Sequence, residues 1–122
     1  MTARKLTLRS IGTDLRTAIA AAQEKKASDL VVLDLRGLAS FTDFFFLATG
    51  NSNRQLKTIA DAIEEGLAKK GVKPNHVEGY PHGEWVLMDY VDFVVHVFTP
   101  PSREYYNLER LWGDAKRLAI AS

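Results

Sequence analysis

Cysteine is absent from this chain of 122 residues, which excludes disulfides, thiol catalysis and cysteine-based zinc sites. Long apolar runs are missing as well. Nothing approaches the roughly 20 residues that a membrane-spanning helix needs. The N-terminus, with Arg4, Lys5 and Arg9 among short polar stretches, lacks the apolar segment of a signal peptide. These absences fit a cytoplasmic protein with no membrane partner. Positive charge is locally missing: no Lys or Arg occurs between Lys73 and Arg103, a stretch that holds Glu78, Glu84, Asp89 and Asp92. Such a surface repels phosphate, so DNA is not an expected partner and contact with RNA is at most peripheral. The remaining basic residues, in the tail and the helical segments, read as solvated faces, and the net charge is only +1.

What is present describes one ordinary globular domain, with 46% hydrophobic and 25% charged residues and no repeat or linker. Residues 1–12 show little periodicity and read as a loosely ordered arm; the domain proper is expected over 13–119. Ile11, Leu15, Ala18, Ile19 and Ala22 recur at helical spacing, with Thr13 or Asp14 as the cap. Leu30–Leu35 and Phe44–Thr49 are short apolar runs that read as buried strands. A second helix follows, with Leu56, Ile59, Ala60, Ile63 and Leu67 on one stripe. Ser52 and Gln55 have the form of a capping box at its start, and Gly71 suits its exit. His76–Glu78, Trp85–Asp89 and Phe93–Phe98 read as strands, the last two forming a hairpin across Tyr90-Val91-Asp92. After Pro100-Pro101, Ser102 is expected to cap a final helix whose buried stripe holds Tyr105, Leu108, Trp112 and Ala115. The order predicts an α/β domain with a mixed five-stranded sheet covered by helices.

Chemistry is harder to find. The junction Gly50–Arg54 joins a strand to a helix, where free backbone N–H groups attract anions. It lacks the Walker lysine and the Rossmann glycines, so capping by Ser52 is the stronger reading and a nucleotidyltransferase-like enzyme the weaker one. Asp34, Asp43, Asp89 and Asp92 lie near strand ends, yet no two stand one residue apart on a strand, as a two-metal site requires. His76, His82 and His96 match no zinc spacing. His96 alternates with Val94 and Phe98 and reads as a hydrogen-bonded histidine of the core or sheet face. No catalytic residue, metal or cofactor is expected.

Aromatic residues are the remaining feature. Tyr80, Trp85, Tyr90, Tyr105, Tyr106 and Trp112 crowd the second half. Trp112 belongs to the final helix's stripe, whereas helical spacing turns Tyr106 away from it, towards Arg103 and Arg110. Aromatic anchors beside acidic residues describe a protein-binding surface. The expected partner-binding residues are Trp85, Asp89, Tyr90, Asp92, Glu84 and Glu78, with Tyr80 and Tyr106 as neighbours. Alternation puts Trp85 and Tyr90 on opposite sides of their strand, so one of them is a candidate for the core.

An ordered set of segments spans most of the chain: Asp29–Asp34, Thr42–Phe45, Ala48–Ser52, Arg54-Gln55, Ile59-Ala60, Glu78-Gly79, Trp85–Tyr90, Asp92, Val95–Phe98 and Arg103–Ala115. Together they resemble the ribosomal silencing factor (Iojap-like) family. The resemblance implies a nucleotidyltransferase-like fold without catalytic carboxylates. It also implies binding to large-subunit ribosomal protein fourteen on the large ribosomal subunit, where the small subunit would join, and hence repression of translation. Organelle relatives instead assist large-subunit assembly, a role that uses the same contacts, and a homodimer in isolation is a further implication. Members often carry Gly where this chain has Val91. A β-branched residue resists positive φ, so a wider or differently typed turn is expected here.

Overall fold

Apolar runs without alternation make strands that are buried on both faces, and two such runs form the centre of the sheet. A computed structural model describes residues 6–122. In it, β2 (Phe44–Thr49) and β5 (Phe93–Phe98) are buried along their whole length and pair in parallel. β1 (Ser28–Asp34) lies antiparallel to β2, and β4 (Trp85–Asp89) antiparallel to β5. The short β3 (His76–Glu78) and a C-terminal β6 (Lys116–Ile120) form the edges, giving the order β3-β4-β5-β2-β1-β6.

Two amphipathic helices cover one face. α1 (Thr13–Glu24) contributes Leu15, Ala18, Ile19 and Ala22, and α2 (Asn53–Ala68) contributes Leu56, Ile59, Ala60, Ile63 and Leu67. They pack on Val32, Phe46, Val86, Met88, Val95 and Val97 of the sheet. Each fully buried aliphatic side chain here contributes roughly 1.5–3 kcal/mol by leaving water. The opposite face has thinner cover. Leu33, Phe45, Leu47, Val94 and Phe98 form a smaller core there, with Trp85, Leu87, Leu108 and Trp112 only partly buried against it.

Several expectations are corrected. Among the described residues the sheet has six strands, not five. β6 pairs with β1 and turns only Leu118 and Ile120 against the helix-side core, too brief an alternation to stand out beyond Ala115. The single final helix is two short ones, α3 (Pro100–Tyr106) and α4 (Leu108–Leu111), because Asn107 at φ 46° takes the left-handed conformation and ends the first. Tyr105 therefore leaves the buried stripe and is 82% exposed. Thr99, not Ser102, is the N-cap of α3, and Pro100 and Pro101 begin that helix, where a missing N–H costs nothing. At α1 the N-cap is Gly12 at φ 89°, placing Thr13 and Asp14 inside the first turn. Of the arm over 1–12, residues 1–5 lie outside the described ones. Leu8–Ile11 form a 3-10 turn that buries Ile11.

Candidate partner-binding face

Strand pairing decides which side chains share a face. His76 lies opposite Asp89, and Glu78 opposite Leu87; Leu87 in turn faces His96, and Trp85 faces Phe98. Paired residues point the same way, so His76, Glu78, Trp85, Leu87 and Asp89 share the thinly covered face. β4 alternates accordingly. Val86 and Met88 are buried under α2, whereas Trp85, Leu87 and Asp89 are half-exposed. On this open patch, His76 and Glu78 pair through Nε2 and Oε1 at 2.9 Å.

Trp85 is held from several sides. Its ring stacks on Phe98 at 5.2 Å and meets Tyr106 at 4.4 Å, and its Nε1–H donates to His96 Nδ1 at 3.0 Å. His96 is 3% exposed and lies against the Phe45 ring at 4.5 Å, so burial pushes its pKa down to about 3 and the imidazole is neutral. The expected hydrogen-bonded histidine is therefore found. Tyr106 does not turn to Arg103 and Arg110 but to Trp85 and Tyr105. Arg103 is engaged elsewhere, donating to the Asp29 carbonyl, the Thr49 hydroxyl and the Glu109 carboxylate, which fixes α3 against the strand ends.

Two of the expected contact residues lie elsewhere. Tyr90 is 7% exposed and stacks on Phe93 in the helix-side core. Its hydroxyl has no hydrogen-bond partner among the described residues, and burial raises its pKa to about 12. Of the two candidate anchors, Tyr90 is the core residue and Trp85 the accessible one. Tyr80 is strapped to α2: its hydroxyl donates to Asp61 at 3.0 Å, and Lys57 lies 5.4 Å over its ring. Glu84 and Asp92 are exposed at the two ends of the hairpin.

The hairpin tip departs from expectation. Val91 does take a positive φ, 72°, in a two-residue loop closed by Tyr90 N–H donating to the Phe93 carbonyl. Hairpins of this kind reserve that position for glycine. Here the Asp89 carboxylate accepts from Val91 N–H at 2.8 Å, and Asp92 N–H donates to the Tyr90 carbonyl, which together hold the strained residue.

At the other end of β2 and β5, Asn51, Ser52, Asn53, Glu84, Tyr105 and Tyr106 line an open crevice of about 600 Å³. Its backbone donors are largely occupied. Ser52 Oγ accepts from Gln55 N–H, Gln55 Oε1 accepts from Asn51 N–H, and Gly50 N–H donates to the Phe98 carbonyl. Gln55 reaches Asn51 rather than Ser52, so the box is shifted by one residue. Asp34 is paired with Arg36 through two hydrogen bonds, which hold its carboxyl below the usual range. Among the described residues no cluster of His, Asp or Glu is placed to hold a metal ion.

The family model described as "Ribosomal silencing factor during starvation" matches residues 9–122. The chain belongs to the ribosomal silencing factor family. The ribosomal silencing factor RsfS of Bacillus subtilis is 43% identical over 101 residues, covering 83% of this chain and 86% of that one. The chloroplastic protein Iojap of Zea mays is 39% identical over 100 residues, 82% of this chain and 43% of its own length. A crystal structure of a protein from Chromobacterium violaceum superposes with a TM-score of 0.80 at 38% identity, covering 96% of this chain and 95% of that one. The family resemblance read from the segments, and the α/β class, both stand.

Three further residues belong to this face: Leu87, His76 and, as the support of Trp85, His96. Leu87 was legible, since it alternates with Trp85 and Asp89. His76 and His96 required the strand register.

Proposed function

We propose that this member of the ribosomal silencing factors lowers translation sterically, by binding large-subunit ribosomal protein fourteen and blocking the joining of the small subunit. The observation that carries the reading is the open face of β3 and β4. There half-buried Trp85 and Leu87 stand beside Glu78 and Asp89, all four from a stretch free of Lys and Arg, with Tyr106 against Trp85. Proteins seated on RNA are basic, so an acidic patch attracts one while repelling the surrounding phosphates. Trp85 supplies the desolvated anchor that carboxylates cannot. The mechanism needs occupancy and no turnover, hence no nucleotide, metal or cofactor. A homodimer when free belongs to the same reading, and sedimentation of the isolated chain tests it.

The direct experiment is co-sedimentation with purified large ribosomal subunits, followed by a subunit-joining assay. Binding should saturate near one protein per particle and inhibit joining in proportion to occupancy. Trp85→Ala should raise the dissociation rate by an amount worth ~2 kcal/mol or more, as loss of an interface anchor does. Joining blocked at wild-type concentration by a folded Trp85→Ala variant would show that the face is misplaced, and time-dependent inactivation at substoichiometric protein would point to catalysis.

A further inference from the structure

We propose that His96 is a positioning residue: its buried imidazole accepts the Trp85 indole N–H and so fixes the orientation in which Trp85 meets the ribosomal partner. The inference rests on the reading of Trp85 as the anchor and adds the device that presents it. Trp85 and His96 lie diagonally across β4 and β5 on one face, near enough for an indole to reach its neighbour. The hydrogen bond is 3.0 Å long. The acceptor is itself immobile, since His96 is buried, set edge-on to Phe45 and stacked with Phe98 at 5.9 Å.

The chemistry of the imidazole argues for a purpose beyond packing. Accepting at Nδ1 obliges the neutral ring to carry its proton on Nε2. Nε2 is buried and has no hydrogen-bond partner among the described residues. A leucine or phenylalanine would fill this site without stranding a donor, and a stranded polar group in a core is unfavourable. What histidine adds is the single acceptor aimed at Trp85. Phe98 and Tyr106 pack on the indole through ring contacts, which are non-directional, whereas the hydrogen bond sets where its N–H points and so selects one side-chain rotamer. An anchor locked before binding loses less entropy on binding, which lengthens the life of the complex.

The test uses the full chain, purified large ribosomal subunits, and His96→Leu and His96→Asn variants, the latter placing an amide oxygen near the position of Nδ1. In the free protein the two tryptophan indole N–H resonances are followed by NMR, and the His96 nitrogens report the tautomer. His96→Leu should shift the Trp85 indole resonance and speed its exchange with solvent, and should raise the dissociation rate from large subunits about tenfold, the loss of one hydrogen bond's worth of preorganisation. His96→Asn should restore most of both. If His96→Leu does not fold, His96→Phe fills the same flat space and carries the same two readouts. An unchanged indole resonance in the leucine or phenylalanine variant overturns the inference. So does a shifted resonance with an unchanged dissociation rate, provided Trp85→Ala still weakens binding; the open face then stands and only the positioning role falls. If Trp85→Ala binds as wild type, the anchor reading and the inference fall together.

Discussion

The Asp89 carboxylate accepts a hydrogen bond from the Val91 backbone at 2.8 Å, holding a β-branched residue at φ 72°. Asp89 therefore serves the turn as well as the surface charge. Such a backbone conformation costs about 1–3 kcal/mol, while a glycine adds about 0.4–1 kcal/mol of unfolded-state freedom. Val91→Gly should stabilise the protein by about 1 kcal/mol, seen as a higher urea midpoint at unchanged slope. A lower midpoint would mean that the exposed valine side chain makes a contact worth more than the strain.

Because Asp89 is tied into the turn, reversing its charge would mix folding with binding. Glu84 and Asp92 are the cleaner positions, both exposed at the ends of the hairpin. The double variant Glu84→Lys with Asp92→Lys should slow association with large subunits, with a deficit that changes with salt and little effect on dissociation. Stopped-flow traces at two ionic strengths check this. Unaltered association at low salt would show that the carboxylates at the two ends of the hairpin do not steer the partner.

Tyr90 offers a test of its assignment to the core. Its hydroxyl is buried without a partner among the described residues, a situation that costs about 1–3 kcal/mol, and the ring does the packing against Phe93. Tyr90→Phe should raise stability by about 1 kcal/mol and leave ribosome binding unchanged. Weakened binding by a fully stable variant would return Tyr90 to the surface.

His96 sets a pH dependence. Burial lowers its pKa from 6.5 to about 3. Well above pH 6.5 neither the folded nor the unfolded residue is charged, and nothing depends on it. As pH falls below that, the unfolded chain takes up a proton that native His96 refuses, so stability falls, by about 2 kcal/mol between pH 6.5 and pH 5. His96→Leu lacks this contribution, and denaturant midpoints of the two proteins at about pH 7 and about pH 5 should diverge accordingly. Equal pH slopes would show that the imidazole is accessible to protons.

Much of the fold was legible in the sequence. The stripe of Leu56, Ile59, Ile63 and Leu67 placed α2, and unbroken runs placed β1, β2 and β5, because periodicity follows from backbone geometry alone. The acidic, lysine-free hairpin was equally plain. The break at Asn107 was not, since asparagine in the left-handed region depends on what the chain must reach next, here the strap from Arg103 to Thr49 and Glu109. Nor was β6, whose short edge run becomes a strand only because β1 offers it a ladder.

For the candidate site the division is sharper. The sequence by itself determined that Trp85 and Tyr90 lie on opposite sides of one strand, because successive side chains on a pleat point opposite ways. That rule is symmetric, and it does not say which side is out. The tertiary structure decided it. α2 covers the Tyr90 side with Leu56, Ile59 and Ile63, while the Trp85 side receives only two short helices and stays half-open. Exposure depends on which face a distant helix packs against, and no local pattern in β4 encodes that.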